Sequence, residues 1–100
     1  MKNIRKFYGE IVVKVEKIDY EKNFYEFIVE YYKIFHENSK KNGIEVIKKI
    51  KIENDEIIER KEVDDILDSE EKADKLLEIL KRNKVTPIAL KDVIDDLFKM

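Results

Sequence analysis

The sequence contains no cysteine, no tryptophan, one proline and two glycines. Without cysteine, the chain can form no disulfide and supplies no thiolate for catalysis or for a zinc or iron–sulfur site. The charges of Glu10, Lys14 and Glu16 interrupt the N-terminal apolar residues, and no apolar run approaches the roughly 20 residues of a membrane-spanning helix. We therefore expect a cytoplasmic protein without a signal peptide or a membrane contact.

Charge is what the sequence has in abundance. Of its 100 residues, 44% are charged and 43% are apolar, whereas about 25% of the residues in an ordinary globular domain are charged. A chain of this length is the commonest size for one domain and can bury a core without disulfides. We expect a single domain over residues 1–100.

Three strands are predicted from the pattern of apolar and charged side chains. Residues 8–18 alternate with Val12 as the one exception, and β-branched residues are frequent among them. Residues 44–52 alternate in a similar way, with Ile47 and Lys48 breaking the pattern. In residues 56–62, Ile57 and Ile58 open the strand, and the charged residues that follow guard it as an exposed sheet edge.

Two turns are predicted between strands. Asn42-Gly43 is a strong turn signal and predicts the end of the loop that precedes the third strand. Asn54-Asp55 predicts a tight hairpin turn, because both residue types tolerate positive φ.

Residues 24–35 fit both a helix and a strand. On a helix, Phe24, Phe27, Ile28, Tyr31 and Phe35 share one stripe. On a strand, one face holds Tyr25, Phe27, Val29 and Tyr31, and the other holds Phe24, Ile28, Tyr32 and Ile34. We favour the strand, because aromatic and β-branched residues dominate the segment and a strand precedes it.

Two amphipathic helices are predicted at the C-terminus. Residues 69–82 carry an apolar stripe that ends in basic residues, and Asp68 with Glu71 has the form of a capping box at its start. Residues 87–98 carry a second stripe behind Thr86-Pro87, a helix-start signal. The sequence therefore predicts an α+β fold: an antiparallel meander of about four strands, followed by two helices packed on one of its faces.

Several segments resemble a known family. Residues 42–46, 66–68 and above all 82–97, which read RNKVTPIALKDVIDDL, are similar to a family of small proteins from clostridia and related bacteria. The resemblance covers about residues 43–97 and implies the same fold and a bacterial, cytoplasmic origin. It implies no catalytic residue, because no activity is established for that family.

The aromatic segment is the main functional indication. A strand that is apolar on both faces must be covered twice, and two helices can cover only one side of a sheet. We therefore expect the second set to contact another protein or a second copy of the chain, since interfaces are rich in aromatic residues. The interface candidates are Phe24, Ile28, Tyr32 and Ile34.

The alternative function is weak nucleic-acid binding by the basic half of the chain. Residues 1–52 carry 12 Lys and Arg against 8 Asp and Glu, although the net charge of the whole chain is only −2. Five lysines are candidates for a basic patch that contacts phosphates: Lys40, Lys41, Lys48, Lys49 and Lys51. The aromatic segment itself carries more glutamate than lysine, which makes nucleic acid the weaker prediction.

No set of residues has the types and spacing that catalysis requires. His36 is the only histidine, and Asp92, Asp95 and Asp96 are most simply a solvated helix face without a calcium-loop or nucleotide motif. We predict no enzymatic activity, no metal or cofactor and no small-molecule substrate. The predicted function is a cytoplasmic protein–protein interaction or regulatory module.

Overall fold

The computed structural model describes residues 3–16, 24–52 and 54–98, and the side chains of these residues except Glu16, Phe24, Tyr25, Ile52 and Asp65. Six elements follow one another along the chain: β1 (Asn3–Glu16), β2 (Phe24–His36), β3 (Lys41–Ile52), β4 (Asp55–Leu67), α1 (Glu70–Arg82) and α2 (Pro87–Phe98). The described fold has no helix long and apolar enough to cross a membrane.

The four strands form one antiparallel sheet in the order β1-β2-β3-β4. The segment that fitted two patterns is a strand, because β2 pairs with β1 on one side and with β3 on the other. The predicted α+β meander with two C-terminal helices is confirmed. Strands β1 and β4 begin or end well outside their predicted limits, at Asn3 and Leu67, while residues 17 and 18 lie outside the described residues.

A β-bulge in β1 changes which side chains of the strand face the helices. The register shifts between Phe7 and Gly9, so that Tyr8 is the extra residue of the strand. Odd-numbered side chains face away from the helices before the bulge, and even-numbered ones do so after it. Phe7 and Val12 therefore lie on the same face of the sheet.

The predicted turn at Asn42-Gly43 is wrong, because both residues lie inside β3. The turn between β2 and β3 is formed by residues 37–40, where the Lys40 amide donates to the His36 carbonyl at 2.9 Å. Gly43 lies at an irregular step of the β3–β4 pairing, where a Cβ would lie only 2.6 Å from the carbonyl oxygen of Val63. The glycine thus marks a close approach of two strands.

The second predicted turn is displaced by one residue. Ile52 pairs with Asp55, so Asp55 is the first residue of β4 and only Asn54 of the predicted pair belongs to the turn.

Both helices cover one face of the sheet and form the core with it. The buried side chains come from the middle strands, the end of β4, the two helices and the connection between them: Phe27, Val29, Tyr31, Ile44, Val46, Leu67, Ala73, Leu76, Leu77, Leu80, Val85, Leu90 and Ile94. Tyr31 lies at the centre, and its hydroxyl donates to the Val85 carbonyl at 2.8 Å. Burial of these apolar side chains is the main source of stability.

An ion-pair cluster also joins α1 to the sheet. The largely buried Lys33 ammonium contacts Glu70 Oε1 at 2.6 Å and Asp74 Oδ1 at 2.8 Å. Burial favours the neutral amine, but the carboxylates of Asp74 and Glu70 together raise the pKa of Lys33. Lys33 therefore faces the helices, and so do the other odd-numbered residues of β2, because side chains alternate between the two faces of a strand.

The N-cap of α1 is Ser69, so the predicted capping box at Asp68 is wrong. The Ser69 hydroxyl accepts the Lys72 amide at 3.2 Å. Asp68 instead pairs with the Lys72 ammonium at 3.0 Å, and this hydrogen bond holds the pKa of Asp68 below its usual value. Helix α2 begins at Pro87, as predicted.

Candidate functional site: the open face of the sheet

One face of the sheet is left without a covering helix. Cross-strand partners point to the same side of a sheet and neighbours along a strand to opposite sides, so the register assigns every side chain to a face. We call the face opposite the helices the open face. Its described residues are Asn3, Arg5, Phe7, Glu10, Val12, Lys14, Glu26, Ile28, Glu30, Tyr32, Ile34, His36, Lys41, Gly43, Glu45, Ile47, Lys49, Lys51, Glu56, Ile58, Arg60, Glu62 and Asp64.

A row of cross-strand neighbours, which we call the apolar row, crosses the open face, and three of its four members are apolar. Val12 pairs with Ile28, Ile28 with Lys49, and Lys49 with Ile58. The three apolar members are 57%, 36% and 49% exposed, in that order along the row. Val12 and Ile28 thus meet solvent as neighbours, and Ile58 lies on the other side of Lys49.

Aromatic side chains extend this surface toward the N-terminal end of β1. Phe7 is 55% exposed, and its ring contacts that of Tyr32 edge-on, with the centroids 5.5 Å apart. The Arg5 guanidinium lies 3.7 Å from the centroid of the Tyr32 ring, a cation–π contact. The aromatic pair and the apolar row are therefore separated by the level of Glu10 and Glu30.

Polar side chains of the open face form hydrogen bonds and ion pairs between the strands. Arg5 contacts Glu45 Oε1 through Nε at 2.8 Å and through Nη2 at 2.7 Å. Glu30 accepts from the Tyr32 hydroxyl at 3.1 Å and pairs with the Lys49 ammonium at 3.2 Å. Burial, followed by the hydrogen bond to Glu30, raises the pKa of Tyr32, and the same carboxylate raises that of Lys49.

An acidic group lies at the edge formed by β4. His36 Nε2 is 3.1 Å from Asp64 Oδ1, and His36 Nδ1 is 3.0 Å from Asn3 Oδ1. Burial, followed by the charge of Asp64, raises the pKa of Glu62. The described residues include no group of three or more histidines and carboxylates arranged to hold a metal ion.

The described interface candidates share the open face but differ in how far they are exposed. Ile28 is exposed and Tyr32 is partly buried, both on the open face. Ile34 is only 3% exposed, because its own chain covers it, so it offers no area to a partner. The side chain of Phe24 lies outside the described residues.

Phe7, Val12 and Ile58 are exposed residues of the open face that the sequence analysis did not select. The sequence does indicate these exposed positions, because two apolar residues stand next to each other in strands that otherwise alternate. In the pairs Val12-Val13 and Ile57-Ile58, one member faces the helices and the other must face away.

The five candidate lysines do not form one patch. Lys40 and Lys41 lie at the turn after β2, at the opposite end of β3 from Lys51. Lys48 faces the helices, with its ammonium 4.3 Å from the centroid of the Phe27 ring, and Lys49 is paired with Glu30. Among the described residues of the open face, six side chains are basic and seven are acidic.

A cavity of about 290 Å³ lies beside the start of α1. Lys6, Lys33 and the buried Asn42 are among its lining residues. Glu70 takes up both ammonium groups, at 3.7 Å from Lys6 and 2.6 Å from Lys33. The cavity therefore offers no free positive charge to an anion.

Comparison with known proteins gives a family and no function. The sequence model of DUF6514, described as a family of unknown function, matches residues 10–100. No curated protein and no solved structure matches the chain. The matched range includes three of the four strands, most of β1 and both helices, so the chain belongs to DUF6514, a family of unknown function.

Proposed function

We propose that this chain is a non-enzymatic protein–protein interaction module that binds its partner through the open face. The observation that carries the proposal is the exposed apolar row of Val12, Ile28 and Ile58, on a side of the sheet that no element of the described chain covers. Large apolar side chains that lie near one another on an uncovered face mark sites where proteins meet.

The composition of the open face supports a protein as the partner. Protein interfaces combine apolar and aromatic centres with a polar rim, and arginine and tyrosine are enriched in them. Phe7, Tyr32 and Arg5 supply these groups next to the apolar row. The near balance of charges gives a nucleic-acid backbone no basic surface to follow.

The length of the face also fits a protein partner. Its strands contain 12–14 residues, so at about 3.3 Å per residue the face is roughly 40 Å long. A stable interface needs about 800 Å² from each partner. The absence of cysteine also fits the cytoplasmic compartment that we propose for the protein.

Site-specific photo-cross-linking in cells tests the proposal. A photoreactive residue replaces Val12 on the open face in one variant, and Ile88 in a matched control, where the side chain is 78% exposed on α2. We expect one defined protein adduct, to the chain itself or to another protein, at position 12 and not at position 88.

The proposal is wrong if position 12 gives no adduct, or the same adducts as position 88. Adducts to nucleic acid at position 12 would replace it with the alternative function. Circular dichroism of both purified variants confirms that the substitutions preserve the fold.

A further inference from the structure

We infer that the partner is a second copy of this chain, packed open face to open face about a two-fold axis parallel to the strands. The inference rests on the proposed function and adds the partner and the geometry. In this arrangement β1 of each subunit lies over β4 of the other, and sheets packed in this way keep their strands within about 30° of each other.

The charges on the two edge strands of the open face have opposite order. Along β1 the side chains are Lys14, Val12 and Glu10. At the same levels of the sheet, β4 presents Glu56, Ile58 and Arg60. Each positive group on one edge thus corresponds to a negative group on the other, and the apolar residue corresponds to an apolar one.

These opposite charges cannot meet within one chain. Strands β1 and β4 are separated by three strand spacings of about 4.8 Å, so Glu10 and Arg60 are about 14 Å apart at the backbone. Neither of the two makes an ion pair with any described residue. Both extend toward solvent from the rim of the open face.

The proposed two-fold axis brings them together twice. It places Glu10 opposite Arg60 of the partner subunit, and Arg60 opposite Glu10 of the partner subunit. Beside each of these pairs along the strands, Val12 packs on the partner's Ile58. Sheets stack about 10 Å apart, a distance that side chains of this length span.

The competing two-fold axis, perpendicular to the strands, fits the charges less well. Centred on the apolar row, it would place Lys49 on the partner's Lys49, and Glu26 beside the partner's Glu30. Like charges opposed in this way are unfavourable. The strand-parallel axis avoids both contacts and uses the full length of the face.

Charge exchange in the purified full-length chain tests this arrangement by analytical ultracentrifugation. We expect the wild type to dimerise, and Glu10→Arg and Arg60→Glu each to raise the dimer dissociation constant about tenfold or more, because each opposes two pairs of like charges. The double variant Glu10→Arg/Arg60→Glu should restore the dimer. An equimolar mixture of the two single variants should form a heterodimer.

The matched control is Arg82→Glu, which makes the same charge change on an exposed residue of α1 and should leave the dissociation constant unchanged. A second readout needs no charge change. In a mixture of Val12→Cys and Ile58→Cys chains, a short bis-maleimide cross-linker that spans the separation of the sheets should link position 12 to position 58, since the chain has no other cysteine.

The strand-parallel arrangement is wrong if the double variant Glu10→Arg/Arg60→Glu does not regain dimerisation. It is also wrong if cross-links form between two copies of position 12. A wild type that stays monomeric at every concentration would overturn self-association altogether. In that case a hetero-protein adduct at position 12 in cells would leave the proposed function standing. The lack of any adduct there would remove both proposals.

Discussion

Among single residues, Gly43 is held by the strand beside it. A Cβ at this position would lie 2.6 Å from the Val63 carbonyl oxygen and 3.1 Å from the Asp64 Cα. Both are backbone atoms of a paired strand, so they cannot move without disturbing the β3–β4 ladder. We expect Gly43→Ala to lower the free energy of unfolding by about 1–3 kcal/mol, measured by urea titration.

Gly9 is the matched control for this prediction. A Cβ there would meet the Lys81 ammonium at 3.2 Å, and the end of a flexible side chain can rotate away. Alanine also removes the conformational entropy cost of a glycine within a strand. We expect Gly9→Ala to change the stability by less than about 1 kcal/mol, and equal losses in the two variants would refute the explanation for Gly43.

The residues of the open face could be predicted only in part from the sequence. Alternation placed Ile28 and Tyr32 on the same side of β2, as observed. It could not show which side the helices cover, because β2 is apolar on both. It also could not show that Ile34 is buried within its own chain, since Arg5, the cross-strand partner that lies beside it, comes from the N-terminal half of β1.

At the level of elements, the cap that ends α1 is well formed but contains a lysine where glycine is preferred. The Val85 amide donates to the Leu80 carbonyl at 2.9 Å and the Lys84 amide to the Lys81 carbonyl at 3.1 Å, the two bonds of a Schellman motif. Lys84 has φ of 55°, in the left-handed region where glycine is preferred. We expect Lys84→Gly to raise the free energy of unfolding by about 1 kcal/mol.

Lys75→Gly provides the comparison. Lys75 is an exposed residue within α1, where glycine costs about 1 kcal/mol relative to a good helix former. The two substitutions remove the same type of side chain, one from within α1 and one from the cap that follows it, and should shift the urea midpoint in opposite directions. A decrease in stability for Lys84→Gly would show that its backbone conformation is not strained.

The helices were easier to predict than the details of the strands. A stripe of leucines and a proline at the first position define a helix locally. The bulge in β1 depends instead on the register with β2, because Tyr8 is extra only relative to its partner strand. Asn42-Gly43 was misassigned because a glycine can be required either by a turn or by the close approach of a neighbouring strand. At Gly43 the neighbouring strand is β4, and the sequence alone does not show this contact.

For the whole molecule, Tyr31 couples the two layers and makes their association dependent on pH. Burial raises the pKa of Tyr31 to about 12, while an unfolded tyrosine titrates near 10. Between these values the unfolded chain loses the proton and the folded chain keeps it. The stabilisation is therefore complete below pH 10 and is lost as the pH rises toward 12, by about 1.4 kcal/mol per unit.

The variant Tyr31→Phe isolates this contribution. It removes the hydrogen bond to the Val85 carbonyl, which should cost about 1 kcal/mol at neutral pH. It should also reduce the loss of stability between pH 10 and 12, measured by urea unfolding at a series of alkaline pH values. An unchanged slope would show that Tyr31 does not ionise on unfolding in this range.

The general architecture was predictable because two helices of this length can cover only one face of a four-stranded sheet. The expectation that the other face must be covered by a partner needs correction for part of its area. Ile34 and Ile47 are 3% and 2% exposed within the chain itself, which leaves the apolar row and Phe7 as the exposed remainder. The proposed interaction surface is thus smaller than the sequence implied, and its exposed apolar residues come from β1, β2 and β4.

The order of the elements has a consequence during synthesis. All four strands precede both helices, so the complete sheet leaves the ribosome before α1 and α2 do. At translation rates of about 5–20 residues per second, the nascent sheet waits roughly 2–6 s for residues 70–100. During that interval Val29, Ile44 and Val46 face water in addition to the apolar row. We therefore expect newly made chains to be most prone to aggregation at this stage.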